Sequence, residues 1–192
     1  NCLGMFLIPE IVRILHGEAP LTRVDFRKMP SQDDLMAQLE TGEVDILIGN
    51  WVHLPKNLRC ITIFTCDIVC VVGNDHPFAR KKRVNIEEYL QADHLSPTPS
   101  TDSALSPIST QLATHSLARR IAVSLPEYNI VPYVLPETDL VFTTGKPFAE
   151  HIASQIPVTL VEAPPELGRM RFSVLWHERA HTSPASRWLR NV

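Results

Sequence analysis

Residues 39–49 read LETGEVDILIG. The first part closes a helix. Leu35, Met36 and Leu39 form its apolar stripe, Ser31 and Asp34 supply a capping-box-like start, and Gly42 stops it. The second part, VDILIG at 44–49, is apolar on both faces except at Asp45. That pattern belongs to a central strand of a parallel sheet, covered on both sides. A helix running directly into such a strand is the repeating unit of an α/β fold.

Working outward, the same alternation continues in both directions. Leu7, Ile8, Ile11, Val12 and Leu15 recur at helical spacing, with Pro9 expected in the first turn and Gly17 at the end. Residues 21–28 (LTRVDFRK) alternate as a strand, with Val24 and Phe26 on one face. Residues 58–64 and 67–72 read as two strands, followed by the turn Asn74-Asp75-His76-Pro77. Asn85 caps a short helix carrying Tyr89 and Leu90, and residues 93–96 form a short strand. Ser106-Pro107 opens another helix, residues 119–125 a strand, and 128–135 a helix interrupted by Pro132. DLVFT at 139–143 is a strand leading into a helix from Gly145 to Ala153. Strands at 158–162 and 171–176 precede a last helix capped by Ser183-Pro184. The expected fold is therefore α/β with mainly parallel sheets, whose ligands sit outside the carboxyl ends of the strands.

The chain of 192 residues carries 18 Lys+Arg against 21 Asp+Glu, a formal charge of −3. This balance argues against a dedicated nucleic-acid-binding surface within it. No run of about 18 apolar residues exists, which excludes a helical membrane span. A chain of this length buries roughly 70% of its unfolded surface and needs no disulfide or metal staple. The 7 glycines exclude more. No two stand close enough for a Walker loop, a dinucleotide fingerprint or the nucleophile elbow of an α/β-hydrolase.

Three further motifs read more blandly than they look. His177-Glu178-Arg179-Ala180-His181 matches the zinc-protease pattern H-E-x-x-H. That chemistry needs both His on one helical face, whereas RFSVLW before it reads as a strand. Residues 182–192 also offer no third ligand, so no metal site is expected. Arg80-Lys81-Lys82-Arg83 is the single basic run and reads as a solvated loop between a turn and a capped helix. Cys66, Ile68 and Cys70 share one face of an apolar strand, which points to buried, reduced thiols and a cytosolic chain, with a peroxide-sensing pair as the alternative. The chain starts at Asn1 without a signal peptide, and we read it as part of a longer polypeptide.

Loops at strand ends carry the candidate ligand site. Asn50 and Trp51 follow VDILIG; Thr98, Ser100 and Thr101 follow the strand ending near Ser96; Pro126, Glu127 and Tyr128 follow the 119–125 strand; Thr144 precedes a helix. Hydroxyls beside exposed helix N-termini can hold a carboxylate or another small anion. Trp51 and Tyr128 offer apolar walls for a ring. The same Ser and Thr residues also serve as ordinary N-caps, so both readings stand. No nucleophile with an adjacent base is present, and neither a catalytic role nor a cofactor is expected.

Several of these stretches together resemble the effector-binding domain of LysR-type transcriptional regulators. LIPEIVRILHGEAP resembles the family's first helix, and LETGEVDILIG its L-x-x-G-x-x-D-apolar-apolar-apolar-G segment. GNDHPFA resembles its H-P-L-A turn. ARRIAVSLPEYNIVPYVLPETDLVFTTGKPFAEHIA and the tail WHERAHTSPASRWLR are similar to the nodulation and aromatic-catabolism regulators. Ser183 departs from that tail, where Asp is usual before Pro184. The resemblance implies a two-lobed periplasmic-binding-protein-like (type 2) fold, with lobe I at 1–69 plus 155–192 and lobe II at 70–154. It implies an effector, aromatic or carboxylate, in the inter-lobe cleft. It further implies a homodimer or tetramer in the cytoplasm and DNA contact only through a winged helix-turn-helix domain that this chain lacks. A periplasmic solute-binding protein and an enzyme on the same scaffold are the alternatives.

Overall fold

The computed structural model describes residues 4–27, 32–51, 57–97 and 106–191. Two compact units emerge: Asn1–Ile63 with Phe172–Val192, and Phe64–Arg171. The chain passes from one to the other inside two long strands, Leu58–Gly73 and Arg169–His177.

The first unit holds helices α1 (Gly4–Glu18) and α2 (Gln32–Thr41) and strand β1 (Leu47–Asn50). It also holds the start of β2 (Leu58–Gly73). Its core is Leu35, Leu39, Leu47 and Leu175, with Val44, Trp51, Leu58 and Cys60 packed against them. The Leu35/Leu39 stripe and the apolar run of residues 44–49 thus meet as their spacing requires. Gly42 ends α2 with φ +84°, the left-handed conformation that glycine adopts without a Cβ penalty.

Several local expectations are corrected. β1 pairs antiparallel with the far end of the chain, Leu47 opposite Leu175, and not within a parallel sheet. An all-apolar run reports burial on both faces but carries no information on the direction of its neighbour. Residues 22–27 form no strand. Leu21, Val24 and Phe26 are exposed, and no described strand pairs with this segment, so alternation alone had nothing to bond to. Pro9 lies inside α1, which already includes Gly4. The Ser31/Asp34 start of α2 falls outside the described residues and side chains.

Among its described residues, the second unit holds strands of a mixed sheet with helices against it. Its strands are β2, β3 (Asp93–Ser96), β4 (Arg120–Ser124), β5 (Val141–Gly145) and β6 (Val158–Glu162). β3 pairs parallel with both β4 and β5, whereas β2 pairs antiparallel with β5 and with β6. The α/β class is therefore as read, while the described strand pairing is mixed and not mainly parallel. The two strands read at 58–64 and 67–72 are one: no Gly or Pro interrupts β2, so nothing turns the chain. Cys66, Ile68 and Cys70 are buried along one face of it, and Val69, Val71 and Val72 are buried as well.

Helices α3 (Ile86–Gln91), α4 (Pro107–Thr114) and α6 (Lys146–Ala153) flank this sheet. Caps fix two of these starts. Asn85 Oδ1 accepts from Glu88 N–H at 2.8 Å, and Ser106 Oγ accepts from Ser109 N–H at 3.4 Å. The helix expected at 128–135 is broken into a 3-10 turn, the four-residue α5 (Val131–Val134) and a second 3-10 turn. Pro132 and Pro136 each lack the N–H that a continuing helix needs. Strand β7 (Arg169–His177) leads into α7 (Pro184–Asn191) in the first unit.

Candidate functional site

The register of the parallel strands decides where their hydroxyls lie. Ser96 stands opposite Ser124, and Leu95 opposite Phe142. The carboxyl ends of β3, β4 and β5 therefore finish together, at Ser96, Ser124 and Thr143–Gly145. In folds of this class, that edge is where ligands sit. Thr144 is 3% exposed and lies opposite Val69 of β2. Gly145 then opens α6 with no side-chain cap; Pro147 brings no N–H and the Lys146 N–H lies against the Cys66 thiol, which leaves the N–H groups of Phe148 and Ala149 in the first turn.

The segment after β4 comes to the same edge. Leu125 N–H donates to the Ser96 carbonyl at 2.8 Å, which ties residues 125–128 to the end of β3. The Tyr128 ring meets Phe142 of β5 edge-on at 6.3 Å and Phe148 of α6 at 6.0 Å. Phe142 and Phe148 complete the trio at 6.2 Å. Edge-to-face packing of this kind holds Tyr128 in place beside the start of α6. Glu127 is half-buried ahead of the 3-10 turn, and Pro126 is exposed. Four of the expected residues, Pro126, Glu127, Tyr128 and Thr144, thus gather in the second unit.

The other expected residues are placed differently. Asn50 ends β1 in the first unit, where it stands opposite Phe172, and Trp51 follows it. The Trp51 indole lies over Gly49: a Cβ there would approach its ring to 3.3 Å. The ring also packs on the Leu35/Leu39 core. Thr98, Ser100 and Thr101 lie outside the described residues.

Sequence reasoning missed a buried polar cluster under β5. The Tyr89 hydroxyl and Thr143 Oγ1 are 2.9 Å apart, and an Arg119 N–H donates to the Tyr89 oxygen at 3.3 Å. Burial pushes the Tyr89 phenol and the Cys70 thiol up to about 12 each, so both stay protonated. His94 Nε2 lies 2.7 Å from the Tyr89 carbonyl, to which it donates as the neutral imidazole. Burial lowers its pKa to about 4. The one signal in the sequence was Arg119, a charge set directly before an apolar strand.

The H-E-x-x-H stretch has no helical frame. His177 ends β7 and its Nδ1 accepts from Arg179 N–H at 3.3 Å. Glu178 is held by Arg59, whose guanidinium keeps the carboxyl below its ordinary range. His181 stacks on Trp176 at 6.1 Å, and Arg190 covers the same indole at 4.4 Å. Among the described residues no group of three or more His, Cys, Asp or Glu could hold a metal ion. No helix among them is long and apolar enough to cross a membrane.

Comparison with known proteins agrees with this frame. The family model for the LysR substrate binding domain matches residues 1–192. The chain is 25% identical over 187 residues to the HTH-type transcriptional regulator SyrM of Rhizobium meliloti, covering 97% of this chain and 56% of that protein. It is 30% identical over 185 residues to Nodulation protein D of Bradyrhizobium sp., covering 95% of this chain and 53% of that one. The regulatory domain of MexT, a transcriptional activator in Pseudomonas aeruginosa, superposes with a TM-score of 0.75 at 21% identity. That match covers all of this chain and 93% of MexT's domain. SyrM and MexT are named as a transcriptional regulator and a transcriptional activator, and the chain spans about half the length of the two curated relatives. The fold is the type 2 periplasmic-binding-protein-like fold, and the chain belongs to the LysR substrate binding domain family.

Proposed function

We propose that this chain is the effector-sensing part of a cytoplasmic LysR-type transcriptional regulator, and that its effector is a small organic anion, an aromatic or short aliphatic carboxylate. The two compact units serve as the two lobes, and the effector lies at the inter-lobe position that the family resemblance implies. Effector binding shifts the balance between conformations and so changes how DNA-binding domains carried elsewhere in the regulator are presented. The assembly is a homodimer or tetramer.

One observation carries the reading. The carboxyl ends of three parallel strands end in hydroxyl residues, beside the uncapped start of α6 and the Tyr128–Phe142–Phe148 cluster. Hydroxyls and helix N–H groups satisfy a carboxylate, and the rings favour an apolar body. Asn50 and Trp51 near the end of β1, and Thr98, Ser100 and Thr101 on the sequence reading alone, complete the proposed site.

The test is a thermal-shift screen of aromatic and aliphatic carboxylates, followed by calorimetric titration of the best ligand. Removing one buried donor from an anion costs about 1–3 kcal/mol, or roughly 5- to 150-fold in affinity. Thr144→Val and Thr101→Val are expected to weaken binding within that range. Unchanged affinity in both variants would place the site elsewhere.

A further inference from the structure

The basic run at 80–83 has a counterpart in the fold. A cleft of about 690 Å³ lies within the second unit and is lined by Lys81, Lys82, Arg83 and Lys146, with Asp67 and Glu162. Its remaining lining comes chiefly from β2, β6 and the segment that follows β6. The volume is that of a small-molecule site. What matters is which charges are already spoken for. Asp67 is held by Arg169 at 3.0 Å, and Glu162 by Arg83 at 2.6 Å. Lys81 is paired with Glu88. Lys146 faces Glu150 only at 3.7 Å, with both side chains more than half exposed, which is worth little in water. Lys82 is exposed, and among the described residues it forms no ion pair. These exposed pairs are all weak in water, but the wall still carries four cationic side chains against two carboxylates, each carboxylate already facing an arginine, while Lys82 has no ion pair among the described residues and Lys146 only a long one. In a chain of net charge −3, this is a local excess of positive charge inside a concave surface.

We infer that this cleft is a second ligand site, taking a small oxyanion with two or more negative charges, held by Lys82 and Lys146. Two lysine point charges match a dianion, and lysine binds phosphate and carboxylate oxygens without a fixed geometry. Pyrophosphate and citrate represent the phosphate-bearing and the polycarboxylate source of that chemistry. This site uses none of the strand-end hydroxyls assigned to the effector, but its Lys146 is the first residue of α6, whose start belongs to the effector reading.

The experiment is calorimetric titration of the 192-residue chain with pyrophosphate and with citrate at constant ionic strength. Saturable 1:1 binding of either anion is expected. Lys82→Glu should weaken it about tenfold, since a charge next to the ligand is reversed. Arg80→Glu makes the same change in net charge two positions away, outside the cleft lining, and should change affinity less than about threefold. Binding of either anion with that contrast supports the site, and the tighter of the two identifies the source. No saturable binding of either, or equal weakening by the two substitutions, overturns it.

Discussion

Gly42→Ala is expected to cost about 2–3 kcal/mol, through two separable effects. The first is the backbone. Gly42 sits at φ +84°, where an L side chain costs about 1–2 kcal/mol. The second is Arg179. Its Nε and Nη2 both donate to the Leu39 carbonyl at 3.3 Å, closing the carboxyl end of α2. A Cβ on residue 42 would stand 2.0 Å from Nη2 and 2.8 Å from Cζ of that guanidinium. The far end of a flexible side chain yields before the backbone does, so Arg179 would swing away and give up its bonds. Partly exposed bonds to a helix-end carbonyl are worth about 1 kcal/mol. Urea unfolding followed by circular dichroism reads the sum. Arg179→Ala alone should cost about 1 kcal/mol, and the double variant about 1 kcal/mol less than the two single costs together, because the displaced bonds are lost only once. A Gly42→Ala variant within about 0.5 kcal/mol of wild type would refute the backbone argument, and strict additivity would refute the role given to Arg179.

Further outcomes follow from the same geometry. His94 is buried and neutral, with a pKa of about 4 against an ordinary 6.5; the unfolded chain therefore binds its proton first, and stability should fall as pH drops from about 6.5 towards 4, by about 3 kcal/mol in all. His94→Gln should flatten that part of the stability–pH curve, and an unchanged slope would assign it to other groups. Met5 and Val12 are exposed and lie seven residues apart on one face of α1, so Val12→Arg should shift the proposed dimer towards monomer in sedimentation. A wild-type chain that stays monomeric at high micromolar concentration would count against assembly through this domain. Purified, chelator-washed protein should hold no stoichiometric zinc; tight binding abolished by His177→Ala would reverse the reading of His177-Glu178-Arg179-Ala180-His181.

Local physics was legible in the sequence, and long-range pairing was not. Gly42 as a helix stop, Asn85 and Ser106 as caps, the apolar stripe of α2 and the buried face of Cys66, Ile68 and Cys70 each follow from interactions within a few residues. The ordered set of motifs from residue 7 to residue 190 was enough to point to the LysR family before any fold was known. The sequence likewise marked Thr144 and Tyr128 as strand-end residues, since strand, turn and helix start are all local signals.

Tertiary structure decided the rest. Whether β1 lies parallel or antiparallel depends on β7, more than a hundred residues away, and an apolar run is silent about its partner. Residues 21–28 alternate well, yet 22–27 lie in no strand, because a strand exists only where another strand bonds to it. The Tyr89–Thr143–Arg119 cluster brings together residues from a helix, a strand end and a loop, with no spacing rule to announce it. The cleft is the same case. Arg80-Lys81-Lys82-Arg83 reads as one solvated run, and only the fold shows which of its charges have acidic partners and that Lys146 lines the same cleft as Lys81, Lys82 and Arg83. Charge and hydrophobicity are properties of the chain, whereas pairing is a property of distance, and distance between remote residues is set only when the whole core closes.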